Sequence, residues 1–118
     1  MPDKKTYTVS YDNKFEMTVE IDHAVMTDEK LHEINDFWGD AHYRFINADR
    51  DITKAVLKLL AAHAFRLTLT SFNAIDAFND NRQEGWPAMD GSEGITIVRI
   101  DDVCFDADDI EVLEAKGS

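Results

Sequence analysis

The chain has 118 residues, 24 of them acidic and 12 basic, for a formal net charge of −12. A domain of this length buries roughly two-thirds of its unfolded surface, so neither a disulfide nor a metal is needed to hold a core, and the 44% hydrophobic and 10% aromatic content is that of a globular chain. The charge argues against direct binding to nucleic-acid backbones or anionic membranes, which require clustered Lys and Arg, and steers any interaction toward basic partners.

A single cysteine, Cys104, excludes an internal disulfide and fits a reducing compartment. Met1–Lys5 leads into alternating polar residues rather than an apolar core, and no stretch approaches a membrane span, so a cytoplasmic protein is expected.

In chain order, Tyr7, Val9 and Tyr11 alternate with Thr6, Thr8 and Ser10, the period of a half-buried strand. Asp12 and Asn13 supply turn chemistry. Phe15, Met17, Val19 and Ile21 then alternate with Glu16, Thr18, Glu20 and Asp22, which completes an antiparallel hairpin with one apolar and one wet face.

After Met26 the period becomes helical. Thr27 is placed to cap a short helix carrying Leu31, Ile34, Phe37 and Trp38, with Asp28 and Glu29 at its positive end and Gly39 at its close. Residues 40–49 are ambiguous. A long central helix is predicted over roughly 50–70, with Ile52, Val56, Leu59, Leu60, His63 and Leu67 along one side. Ala61, Ala62 and Ala64 would let another element approach that helix closely. Helical spacing runs on through Phe72, Ile75 and Phe78 toward a stop at residues 79–81.

A polar connector with Gly85, Pro87, Gly91 and Gly94 follows, in which Trp86 and Met89 are placed to pin the loop to the core. Ile95–Ile100 is β-branched and reads as a strand. Val103–Phe105 and residues 109–114 are expected to supply a return strand. The resulting order, β-β-α-α-β-β in a single domain over residues 1–118, is α+β: an antiparallel sheet with helices packed on one face.

Catalytic motifs are not legible. The glycines make neither a dinucleotide fingerprint nor a phosphate loop, no serine sits in a nucleophile elbow, and one cysteine cannot build a zinc finger. His32 and Asp36, one helical turn apart, together with His63, are the nearest approach to a metal or catalytic set. His63 on the apolar side of a helix reads more simply as a core histidine with a hydrogen-bond partner. No cofactor, metal or catalytic residue is assigned. Trp38, Tyr43, Trp86 and Phe105 are expected mostly in the core of so small a domain.

The densest charge feature is the run Asp101, Asp102, Asp106, Asp108, Asp109, Glu111 and Glu114, uninterrupted by Lys or Arg. It fails the EF-hand pattern, because counting from Asp106 puts Glu111 where glycine belongs and Gly117 where glutamate belongs. A solvated sheet edge that discourages aggregation is one reading. The other is a partner surface: if the C-terminal strands lie beside the hairpin, Glu16, Glu20 and Asp22 merge with this run. Carboxylates on alternate strand residues lie about 6–7 Å apart, on the scale of duplex phosphates.

The segments Lys5–Asp22, Thr27–Trp38 and Gly85–Ile95 resemble a family of small uncharacterised acidic proteins found in bacterial genomes, prophages and mobile elements. The resemblance covers most of the chain. It implies no reaction and no catalytic residues, but it does imply a context in which small acidic proteins interfere with host defence. The expectation is an acidic accessory protein that contacts a basic, nucleic-acid-binding partner by charge mimicry through Glu16, Glu20, Asp101, Asp102, Asp106, Asp108, Asp109 and Glu111. The alternatives are a self-associating structural domain and, less favoured, a small enzyme.

Overall fold

The computed structural model describes residues 3–71, 73–80 and 83–114. Strands β1 (Lys4–Tyr11) and β2 (Phe15–Asp22) form the expected antiparallel hairpin, in register from Lys4 opposite Asp22 to Tyr11 opposite Phe15. Its turn places Asp12 and Asn13 in the left-handed region at φ 55 and 56, which these short polar side chains tolerate. The Lys14 N–H closes the turn on the Tyr11 carbonyl at 3.0 Å.

Strand β3 (Ile95–Ile100) pairs antiparallel along the other side of β2, giving the order β1-β2-β3. The register slips between Thr18 and Val19, whose partners are Arg99 and Ile97, so Val98 bulges outward and is exposed. Met17, Val19, Ile21, Ile95 and Ile97 line the buried face. Thr6, Thr8, Ser10, Glu16, Thr18 and Glu20 share the opposite, wet face.

Four α-helices accompany the sheet among the described residues. Thr27 caps α1 (Asp28–Phe37) as expected, its hydroxyl oxygen accepting from the Lys30 N–H at 3.4 Å. The ambiguous residues hold α2 (Ala41–Asn47), entered through Asp40 at φ 63. The left-handed residue between the two helices is thus Asp40 rather than Gly39.

Asp51 caps α3 (Ile52–Thr70), accepting from the Lys54 N–H at 3.1 Å. Its buried face centres on Ile52, Val56, Leu60 and Ala64 and widens to Ala55, Leu57, Ala61 and Phe65; Leu59, His63 and Leu67 lie at the half-buried margin. The helix packs against α1, α2, α4 and the edge strand β1. Helical spacing resumes in a separate α4 (Ala74–Asp80), because Ser71 turns extended at ψ 145 and Asn73 starts a new cap on the Asp76 N–H. Phe72 and Asn81 lie outside the described residues.

One expectation is corrected. The second C-terminal strand does not form: residues 101–114 make no strand, only a 3-10 turn over Ala107–Asp109. Apolar alternation in residues 109–114 describes what a strand would need from its side chains, but a strand also needs a neighbour's backbone. The edge of β3 is not offered to this segment. After Asp101 the chain crosses toward the helices, where the Val103 N–H donates to the Thr68 hydroxyl at 3.0 Å.

Candidate functional site

The acidic residues gather at the hairpin-turn end of the sheet. The Asp101 N–H donates to the Glu16 carbonyl at 2.9 Å, and the Glu16 N–H donates back to Asp101 Oδ2 at 2.9 Å. Asp101 Oδ1 also accepts from Arg99 Nη2 at 2.7 Å. Beyond it, Asp106 caps the 3-10 turn by accepting from the Asp108 N–H at 2.9 Å, and Asp109 forms an ion pair with Lys14 of the hairpin turn. The hydrogen bond to Asp109 raises the Lys14 pKa, which marks the tail as electrostatically tied to the hairpin.

Glu16, Asp101 and the turn at residues 106–109 are therefore brought to one end of the molecule. Glu20 is not among them: it stands further along β2 on the wet face, 4.0 Å from Lys4. Asp101, Asp109 and Glu20 face cations, whereas Glu16, Asp102, Asp106, Asp108 and Glu111 have no ion-pair partner among the described residues. The result is an irregular anionic end rather than a regular ladder of charges.

The histidine set does not converge. His32 stacks edgewise on Phe45 with ring centroids 5.1 Å apart, and Asp36 is exposed one turn further along α1. His63 is the core histidine expected. It is half-buried, meets Gln83 Oε1 at 3.2 Å, and contacts Trp38, Phe78 and Trp86. No group of three metal-binding side chains occurs among the described residues. Trp38 and Trp86 join this aromatic cluster, while Tyr43 and Phe105 are exposed, contrary to a uniform core assignment.

A second feature was not legible in the sequence. An apolar groove of about 430 Å³ runs between the edge strand β1 and helix α3, lined by Val9, Tyr11, Ala62, Phe65, Leu69 and Phe105. Lys58 and Arg66 stand along it. The small residues Ala61 and Ala62 were its only forewarning.

No helix among the described residues is long and apolar enough to cross a membrane. Residues 16–112 match the model of a family described as protein of unknown function (DUF2528), and all eight candidate carboxylates fall within that span. The chain is similar to the protein ea10 of Escherichia phage lambda and to the lambda prophage-derived protein ea10 of Escherichia coli O6:H1 strain CFT073. Each is 47% identical over 123 residues, which cover 98% of this chain and 100% of the relative. No solved structure matches the chain.

Proposed function

The chain belongs to the DUF2528 family, and with relatives drawn from a phage and a prophage we propose that it is an acidic accessory protein that binds a basic partner and occludes that partner's nucleic-acid site. One observation carries this reading: the wet sheet face and the C-terminal segment meet through the reciprocal Glu16–Asp101 hydrogen bonds, so carboxylates from β2 and from residues 101–109 share one end of the fold. Several of them have no ion-pair partner among the described residues, and in a chain of net charge −12 such an end attracts basic surfaces over a distance of about 8–10 Å at ordinary ionic strength. Charge complementarity of this kind raises the association rate and makes binding salt-sensitive.

The test is affinity capture from a host lysate at low and high salt, with the wild-type chain and an E16K/D102K/D108K variant. All three side chains are exposed, so the fold is expected to survive. A basic, nucleic-acid-binding protein should be captured at low salt, released at high salt and lost with the variant. Capture of nothing basic at low salt, or capture indifferent to both salt and charge reversal, would overturn the reading.

A further inference from the structure

The groove between β1 and α3 and the C-terminal segment of the same chain are chemically complementary. The groove is apolar along its floor and carries two cations, Lys58 and Arg66, neither in an ion pair among the described residues. In a chain with twice as many acids as bases, two such cations beside one apolar groove call for an acidic and apolar occupant. The segment Glu111–Glu114 has that composition: Val112 and Leu113 are 91% and 86% exposed, flanked by the two glutamates.

The spacing agrees as well. Lys58 and Arg66 are eight residues apart on α3, about 12 Å along the helix axis. In an extended chain of polyproline type, residues three apart recur on one face about 9 Å apart. Glu111 and Glu114 can therefore each reach one cation through flexible side chains, with Val112 and Leu113 between them over Ala62 and Phe65.

Among the described residues, the chain's own tail segment Glu111–Glu114 does not line the groove. It is held at the hairpin turn by the Lys14–Asp109 ion pair, and Val112 and Leu113 emerge exposed beyond it. We infer that the groove receives Glu111–Glu114 of a second copy, in a reciprocal pair where each molecule lends its tail to the other. Two-fold symmetry seats both tails at once, so two small contacts act as one. The dimer relies on Glu111 and Glu114, neither of which is reversed in the capture experiment above, so the two readings are tested by separate substitutions.

Sedimentation velocity of the full chain from low micromolar to near-millimolar concentration tests the inference. The wild type should pass from monomer to dimer. K58E/R66E and E111K/E114K should each weaken dimerisation about tenfold or more, and an equimolar mixture of the two should recover a heterodimer, because each cationic patch again meets an anionic one. Val112→Asp, in a segment outside the core, should also favour the monomer without touching the fold. A wild type that stays monomeric throughout, a dimer insensitive to all three variants, or a mixture that fails to associate would overturn it.

Discussion

Glu16 and Asp101 hold each other by two hydrogen bonds of 2.9 Å, one between main chains and one from the Glu16 N–H to the Asp101 carboxylate. The pair fastens the start of β2 to the residue just past β3 and directs the chain toward the helices. Asp101 is therefore a strand clamp before it is a surface charge. Asp101→Ala removes the acceptor for Glu16 and the partner of Arg99, and should cost about 1 kcal/mol in urea denaturation. Asp101→Asn keeps one acceptor oxygen and should recover much of that loss. Equal stabilities for the two variants would show that the clamp contributes nothing.

Arg44 carries a comparable role for the helices. Its Nε donates to Asn35 Oδ1 at 2.7 Å, and its Nη atoms donate to the carbonyls of Asn35 at 3.1 Å and Gly39 at 3.0 Å. These carbonyls lie at and beyond the end of α1, where helical acceptors lack their full intrahelical partners; that of Asn35 also takes the Trp38 N–H at 3.3 Å. Asn35 is buried, and its amide donates onward to the Ala41 carbonyl at 3.0 Å. A lysine has a single ammonium and cannot reproduce the planar fork. Arg44→Lys should destabilise by about 1–3 kcal/mol, read from the urea midpoint, because the buried Asn35 oxygen loses its donor.

The hairpin, α1, α3 and β3 were legible because each pairs one clear apolar period with a nearby start or stop residue. The break between α3 and α4 was not, since Ile75 and Phe78 continue the same period and only the extended Ser71 and the Asn73 cap interrupt it. Residues 41–47 were ambiguous because α2 begins at a left-handed Asp40 with no side-chain cap and buries no residue fully. The false fourth strand arose from alternation read without a pairing partner. Of the candidate site, the acidic end could be read because charge is local in sequence. The groove could not, because it exists only once β1 is known to be an edge strand lying beside Ala62 and Phe65.

Alkaline pH should weaken the fold through Tyr7. Its pKa is raised above the ordinary 10.0, first by burial and then by the negative charges of Asp51 and Asp28. The folded state thus holds the phenol proton more tightly than the unfolded state. Between the unfolded and folded pKa values the native state carries more protons, so stability is intact below about pH 10 and declines as pH rises through the folded value. Lys14, also raised, acts in the same direction. Urea midpoints measured from pH 9 to pH 11 should fall for the wild type and fall less steeply for Tyr7→Phe. An equal slope in the two proteins would remove Tyr7 as the cause.

Gly94 joins the turn before β3 to the end of β2. It sits at φ +90, and its carbonyl accepts the Asp22 N–H at 2.8 Å. A Cβ there would lie 2.7 Å from the Met26 main-chain nitrogen and 2.9 Å from Val25 Cβ, neither of which can swing aside. Gly91, at φ +93, carries the same conformational penalty, but its Cβ would meet only the Thr96 hydroxyl at 2.9 Å, and that group can rotate. Both alanine variants should therefore lose about 1–3 kcal/mol from left-handed strain. Gly94→Ala should lose more than Gly91→Ala, by the cost of pushing apart the β2–α1 connection and the β3 turn. Thermal or urea denaturation of the two variants side by side isolates that difference, and a Gly91→Ala chain as unstable as Gly94→Ala would mean that strain alone, not the close approach to Met26, keeps glycine at position 94.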